Sequence, residues 1–357
     1  MPQTPRDRAH AFCQRFGLRL PILLAPMAGA CPPSLSIAVA NAGGLGSCGC
    51  LLMDPHAIAA WAQEVRAHSN GAFQLNLWVP DPPPTRDKAH EAAIRRFLAQ
   101  WGPEIPPEAA DTPLLDFDAQ CDALLAAAPP IVSSVMGLYP PAFVVRMKSR
   151  GIAWFANVSS VTEALAAEAA GADAVVAQGM EAGGHRGAFD ATAAEATMVG
   201  TLSLLPAVAD AVRIPVVATG GIADGRGVAA ALVLGASAAQ IGTGFLRCPE
   251  AKTHPAWSKA LDGLRPEHTT VSSTFSGRPG RSIATAYVRA ALAPDAPPPA
   301  PYPIQRALTA AMRTAAGARN DVGAMQAWAG QSAALARTEP AGDLVRRAWN
   351  EAESLLP

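Results

Sequence analysis

A histidine in a glycine-rich loop is the residue of this sequence best suited to chemistry. His185 lies in Gln178-Gly-Met-Glu-Ala-Gly-Gly-His-Arg-Gly187, a segment with four glycines. Core packing does not explain an imidazole flanked by glycines, and its ordinary pKa of about 6.5 suits proton transfer near neutral pH. The neighbouring Arg186 either favours an anionic substrate or pairs with Glu181. The loop therefore predicts a site at which His185 moves a proton.

Two further glycine-rich turns predict a phosphate site. They are Thr219-Gly-Gly-Ile-Ala-Asp-Gly225 and Gln240-Ile-Gly-Thr-Gly-Phe245. Glycine amides can approach a phosphate with no Cβ in the way, and the N-terminus of a following helix adds a favourable dipole. One such loop is more often a simple turn of the chain. Two adjacent loops reverse that preference and favour phosphate binding.

A repeated alternation of strands and helices must position these loops. Short apolar runs, each followed by a glycine-containing turn and an Ala-rich helix, are typical of βα units. The predicted strands are residues 21–26, 45–50, 72–79, 130–135, 153–158, 172–177, 215–219 and 238–242. Eight strands predict an α/β fold of the (β/α)8 TIM-barrel type, in which functional groups follow the C-terminal ends of the strands. The alternative, an open doubly wound sheet, lacks its G-x-G-x-x-G turn after Leu24.

Chain length and composition predict one large domain with a smaller one beside it. With 357 residues, of which 50% are hydrophobic, the chain has material for an extensive core. We expect the barrel over residues 1–248, with a proline- and charge-rich insertion at about 80–115. Residues 249–357 are expected to form a mainly helical domain that covers the barrel mouth and returns helices to the barrel. The sequence leaves the oligomeric state open.

Charge and cysteine patterns exclude several classes of function. The net charge is −1 and the basic residues are scattered, so we expect no nucleic-acid partner. Apolar runs fall short of about 18 residues and the N-terminus has no apolar leader, which predicts no membrane segment and a cytoplasmic protein. The six cysteines have no histidine at metal-ligand spacing, so we expect buried thiols and no metal.

Specific motifs make the sequence resemble the nitronate monooxygenase family, formerly called 2-nitropropane dioxygenases, and in particular its FMN-dependent class I. The resemblance covers nearly the whole chain. It is carried by Ala25-Pro-Met-Ala-Gly29, Ala42-Gly-Gly-Leu-Gly46, Asn76, the run from Gln178 to Gly187, Gly220-Gly221, Gln240 to Thr243, Tyr302-Pro-Ile-Gln305 and Trp328-Ala-Gly-Gln331. The histidine-containing run is the most specific, because related flavin reductases share the Ala-Pro-Met and Gly-Gly motifs.

The resemblance implies a set of cofactor contacts. FMN would be bound by Ala25, Pro26, Met27, Asn76, Gln178, Gly183, Gly220, Gly221, Gln240, Gly242 and Thr243. Carboxamides both donate and accept, as recognition of the flavin pyrimidine edge requires, although Asn76 and Gln178 could instead cap loops. Cys31-Pro32 departs from the Thr-Pro of many relatives, which puts a hydroxyl contact at that position in doubt.

The resemblance also implies a reaction. His185 would remove the α-proton of a nitroalkane and, once protonated, hold the anionic nitronate. One-electron transfer from nitronate to FMN would give a semiquinone, and O2 would yield a carbonyl compound and nitrite.

An NAD(P)H-dependent quinone reductase or enoyl-thioester reductase on the same scaffold is the first alternative function, and a non-catalytic flavin or phosphate-ligand binding protein is the second. The size of the substrate pocket depends on Trp78, Met136 and Tyr139, whose side chains the sequence does not place.

Overall fold

Short parallel strands form the centre of the fold. The structure is a computed structural model that describes residues 4–111 and 114–357. Within these residues the strands are β1 (Ile22–Leu24), β2 (Gly46–Gly49), β3 (Phe73–Trp78), β4 (Ile131–Val135), β5 (Ala153–Val158), β6 (Ala174–Gln178), β7 (Gly184–His185), β8 (Val216–Thr219), β9 (Ala238–Ile241), β10 (Thr269–Ser272) and β11 (Gly280–Ile283). The large sheet has the order β1-β9-β8-β6-β5-β4-β3-β2 with parallel neighbours.

Backbone hydrogen bonds between the first two strands close this sheet into a barrel. The Leu24 N–H donates to the Leu45 carbonyl at 2.9 Å, and the Leu45 N–H donates to the Ile22 carbonyl at 3.0 Å. The (β/α)8 prediction is confirmed, and each predicted strand overlaps an observed one with ends that differ by at most two residues. Parallel strands buried on both faces give continuous apolar runs, which is why the sequence located them well.

A ring of helices surrounds the barrel. The α-helices are α1 (Pro5–Phe16), α2 (Pro33–Ala42), α3 (Pro55–His68), α4 (Lys88–Leu98), α5 (Phe117–Ala127), α6 (Pro141–Lys148), α7 (Val161–Ala169), α8 (Thr201–Ala211), α9 (Gly225–Val233), α10 (Pro255–Ala260), α11 (Ala286–Ala291), α12 (Ile304–Leu308), α13 (Ala310–Ala318) and α14 (Ala341–Leu355). The C-terminal α14 packs against α9 and α2. It therefore occupies the place of the eighth barrel helix, far along the chain from β9.

Helix α1 packs against the N-terminal ends of the barrel strands. Thr4 caps this helix and exchanges hydrogen bonds with Asp7 in a capping box. The rings of Phe12 and Phe16 pack on Phe155, with the Phe16 and Phe155 centroids 4.8 Å apart. These contacts cover one end of the barrel with apolar side chains, and the opposite end remains available for a ligand.

A second apolar core lies beyond the C-terminal ends of the strands. Ile94 and Leu98 of α4 pack with residues of α11, α12 and α13. The predicted insertion at about 80–115, of which residues 112 and 113 lie outside the described part, thus shares a core with the C-terminal region. The predicted division of the chain at residue 248 stays a prediction. In residues 4–111 and 114–357, no helix has the length and apolar character needed to cross a bilayer.

Candidate functional site

A cavity of about 260 Å³ opens at the C-terminal ends of the barrel strands. The twelve residues predicted for the site all line it: Ala25, Pro26, Met27, Asn76, Gln178, Gly183, His185, Gly220, Gly221, Gln240, Gly242 and Thr243. They come from the ends of β1, β3, β6, β8 and β9 and from the loops that follow these strands. Closure of a parallel barrel brings all these ends to one rim, so residues far apart in sequence share one cavity.

The turn after β8 presents free backbone donors to the cavity. Gly220 and Gly221 adopt φ values of +113° and +73°, the left-handed region that side chains disfavour. A Cβ at Gly220 would lie 3.0 Å from the Gly179 carbonyl oxygen. Neither glycine N–H donates to a backbone carbonyl within the part of the chain described. Such paired amides beside a helix start are suited to an anionic group such as a phosphate.

Two chain segments meet in close contact at the wall of the cavity. A Cβ at Gly183 would lie only 2.5 Å from the backbone nitrogen of Gly330. The Gly330 N–H donates to the hydroxyl of Thr243 at 2.9 Å. Only glycine at residue 183 allows this approach, which joins the loop of His185 to the segment Trp328–Gln331 and to the end of β9.

The predicted carboxamides make different contacts. The Asn76 amide donates to the Ser133 hydroxyl at 3.0 Å. Gln178 holds the histidine loop with both ends of its side chain, because its amide donates to the His185 carbonyl at 3.0 Å and its oxygen accepts from Gly187 N–H at 2.7 Å. Gln178 therefore positions the loop from the floor of the cavity. Contact of either carboxamide with a cofactor stays a prediction.

Two indole rings and a serine surround the imidazole of His185. The ring centroids of Trp78 and Trp328 lie 5.0 and 4.9 Å from that of His185. The Nε2 atom of His185 lies 2.8 Å from the hydroxyl oxygen of Ser276. Burial, reinforced by the nearby guanidinium of Arg278, lowers the pKa of His185 to about 3. The imidazole is therefore neutral at physiological pH, and it is a weak proton acceptor unless a negative charge forms beside it.

Guanidinium groups give the cavity a positive potential. Arg306 and Arg313 both line it, and neither forms an ion pair with a carboxylate among residues 4–111 and 114–357. Arg313 donates to the Arg306 carbonyl at 2.8 Å and to the Gln326 side chain at 3.1 Å. Burial and the neighbouring charge of Arg306 lower the pKa of Arg313 to about 10. Two uncompensated cations in one cavity favour an anionic ligand.

Arg186 has neither of the two roles considered from the sequence. Its side chain is 1% exposed and donates to the Gly179 carbonyl at 2.7 Å. Glu181 accepts from the backbone N–H and hydroxyl of Thr201 instead of pairing with Arg186. The guanidinium thus supports the backbone of the histidine loop from behind. Arg186 does not line the cavity.

Sequence reasoning missed several residues of the site. Asn157, at the end of β5, lines the cavity, and its buried amide nitrogen has no hydrogen-bond partner in the described chain. The available signal was an asparagine next to the C-terminal end of the predicted strand 153–158. Ser276, Arg306 and Arg313 had no local signal, because they lie in irregular segments or short helices of the C-terminal region.

The structure divides the three residues expected to set the pocket size into two groups. Trp78 and Met136 line the cavity. Tyr139 does not, because its ring packs with Phe143 in the core and its hydroxyl donates to the Ser133 carbonyl at 2.9 Å. The wall around His185 is therefore built mainly from indole rings and the C-terminal region.

The fold and this cavity define a (β/α)8 barrel with a candidate ligand site at the C-terminal edge of the strands. The Nitronate monooxygenase family model matches residues 12–351. A nitronate monooxygenase of Pseudomonas aeruginosa is 41% identical over 94% of this chain and 97% of its own. One from Paraburkholderia phytofirmans is 39% identical over 98% and 96%. The nitroalkane oxidase structure from Streptomyces ansochromogenes superposes with a TM-score of 0.86 at 36% identity, covering 94% of this chain and 96% of that one.

The chain therefore belongs to the nitronate monooxygenase family, whose members are flavin-dependent oxidoreductases. This agrees with the resemblance inferred from the motifs.

Proposed function

We propose that this protein oxidises nitronates and nitroalkanes with O2, using FMN as its flavin and His185 as the base that deprotonates neutral nitroalkanes. The products would be a carbonyl compound and nitrite. The observation that carries the proposal is a neutral imidazole in the same cavity as the guanidinium groups of Arg306 and Arg313. A neutral base suits a neutral nitroalkane, and the two cations suit the nitronate that deprotonation forms. A cytoplasmic location remains part of the proposal.

The residues of the cavity fit FMN. The free amides of Gly220 and Gly221 suit its single phosphate, and Gly242 and Thr243 border the same end of the cavity. The unpartnered Asn157 amide supplies a donor for a polar ring edge. Gly183 leaves room where a side chain would collide with the opposite wall. When bound, the flavin supplies the redox chemistry that accepts electrons from the nitronate and passes them to O2.

His185 offers an unprotonated ring nitrogen to the substrate. Its pKa of about 3 keeps it neutral over the physiological range but makes it a weak base, so proton transfer depends on the anionic nitronate that forms beside the ring and stabilises the imidazolium. In the transfer, the α-carbon–hydrogen bond breaks, the proton moves to the imidazole, and the electron pair delocalises onto the nitro group. The contacts of Trp78 and Trp328 hold the ring in place at the wall of the cavity.

The arginines act on the charge that this step creates. Arg306 donates no side-chain hydrogen bond to a described residue, whereas Arg313 is fixed by Thr309, Gln326 and a backbone carbonyl. A negative charge on the nitro oxygens is therefore stabilised by donors that have no competing carboxylate. A preformed nitronate meets a neutral His185, so we assign its attraction to the arginines.

Replacing His185 by asparagine tests the proposal. H185N should lose about 10²–10⁴-fold in kcat/KM on neutral nitroethane, the usual contribution of a positioned base, and should keep much of its activity on preformed ethyl nitronate. Flavin content, read from the visible spectrum, controls for cofactor loss. Equal losses on both substrates would contradict the role as base. Rapid anaerobic bleaching of the wild-type flavin by NADPH or NADH, but not by ethyl nitronate, would favour a reductase.

A further inference from the structure

A buried serine of the C-terminal region controls one nitrogen of the His185 ring. Ser276 is fully buried, and its Oγ lies 2.8 Å from His185 Nε2. The same oxygen lies 3.1 Å from the carbonyl oxygen of Arg278, to which it donates, and 3.3 Å from the Arg278 backbone nitrogen, from which it accepts. His185 Nδ1 has no hydrogen-bond partner among the described residues.

The hydroxyl has a single proton, and two acceptors compete for it. If the hydroxyl donated to Nε2, the buried carbonyl of Arg278 would lose the donor it has in the described chain, and buried carbonyls without a donor are unfavourable. If it donates to the carbonyl, the short contact to the imidazole requires a proton on Nε2. We propose that Ser276 is a positioning residue that fixes His185 as the Nε2–H tautomer and thereby leaves Nδ1 as the base.

Backbone constraints hold Ser276 at this distance. Gly277 has a φ of +88°, and a Cβ there would lie 2.4 Å from the Ala300 carbonyl oxygen. Beyond it, Gly280 of β11 pairs with His185 of β7. The Arg186 N–H also donates to the Pro279 carbonyl at 2.9 Å. The serine and the histidine are therefore attached to adjacent strands of one small sheet.

The assigned tautomer has a consequence for only one class of substrate. A neutral nitroalkane loses its α-proton to Nδ1, and the resulting imidazolium keeps donating from Nε2 to Ser276 while the carbonyl of Arg278 orients the hydroxyl. A preformed nitronate needs no proton removed. This inference rests on the proposed role of His185 as base, and it adds which nitrogen acts and which residue selects it.

The tautomer can be measured directly in the flavin-loaded wild-type protein. Nitrogen-15 NMR of histidine-labelled protein at neutral pH, with the His185 signals identified by their loss in H185N, should show a protonated Nε2 and an unprotonated Nδ1. The reverse pattern, or two protonated nitrogens, would overturn the inference. This readout does not depend on turnover. Wild-type protein that fails to oxidise nitroethane would contradict the proposed function while leaving the tautomer result intact.

Ser276→Ala supplies the kinetic test. We expect kcat/KM on nitroethane to fall about 10-fold or more, with kcat/KM on ethyl nitronate within about twofold of wild type, because only the first reaction needs the base. Ser282→Ala is the matched control, since Ser282 is equally buried and its hydroxyl donates to the Ile283 carbonyl rather than to histidine. Equal losses on both substrates in S276A, or the same selective loss in S282A, would contradict the inference.

Discussion

Replacing Gly183 by alanine inserts a methyl group where two chain segments touch. An ideal Cβ at residue 183 lies 2.5 Å from the Gly330 nitrogen and 2.7 Å from the Ala329 carbonyl carbon. Both neighbours are backbone atoms, which cannot rotate away as a flexible side chain would. The third neighbour, Thr243 Oγ1 at 3.0 Å, accepts the hydrogen bond from Gly330. Alanine must therefore move the Trp328–Gln331 segment away from the loop of His185.

The expected loss of stability follows from two terms. Overpacking a closely packed contact by one methyl group costs about 1–3 kcal/mol. Loss of the Gly330–Thr243 hydrogen bond adds about 1 kcal/mol. We therefore expect G183A to lower the free energy of unfolding by about 2–4 kcal/mol. Because Gly183, Gly330 and Thr243 all line the cavity, the purified variant should also contain less flavin.

Urea unfolding of G183A and wild type, followed by circular dichroism, measures this loss. Gly317→Ala in α13 is the control, because a Cβ there has no atom within 4 Å and should stabilise the helix by about 0.5–1 kcal/mol. Flavin content is measured from the visible absorbance of each variant. A G183A protein within about 0.5 kcal/mol of wild type, with full flavin content, would refute the close-contact argument.

Three further predictions concern the protonation of His185, the charge of the cavity and one hydrogen bond of Cys31. Since the pKa of His185 is lowered to about 3, kcat/KM on nitroethane should show no protonation step near pH 6.5 and should fall only as pH approaches 3; a step near 6.5 would contradict this. Arg306→Gln and Arg313→Gln should each raise KM for ethyl nitronate about 10- to 100-fold, while Arg319→Gln, at the exposed end of α13, should leave it unchanged. Cys31→Ala should lower the free energy of unfolding by about 1–3 kcal/mol in an unfolding titration, because the thiol accepts a hydrogen bond from Met27 N–H at 3.4 Å. Cys31→Ser should retain most of the wild-type stability. Equal losses in the two variants would exclude this hydrogen bond as the cause.

The hydrogen bonds of Cys31 also answer the doubt raised by the Cys-Pro pair. The thiol donates to the Ala25 carbonyl at 3.3 Å while it accepts from Met27. Burial raises its pKa to about 12, so it stays protonated and can keep donating. A hydroxyl at this position could make the same two bonds. The departure from Thr-Pro therefore preserves support for the loop after β1.

The sequence by itself determined the barrel and the rim residues of the cavity. Strand positions followed from apolar runs, because a strand buried on both faces is apolar along most of its length and can be recognised from its own residues. The glycines after β8 and the histidine after β6 could be located for a similar reason. In a closed parallel barrel, being at the C-terminal end of any strand is enough to place a residue at the common rim.

Only the tertiary structure decided which contacts these residues make. The hydrogen bond of His185 to Ser276 spans 91 residues, and the pairing of β7 with β11 that fixes it has no local sequence signal. The lowered pKa of His185 and the two uncompensated arginines likewise depend on burial and on long-range neighbours. Hydrogen-bond partners, solvent exclusion and electric potential are properties of the assembled cavity, so the local pattern located the imidazole and the folded chain set its protonation.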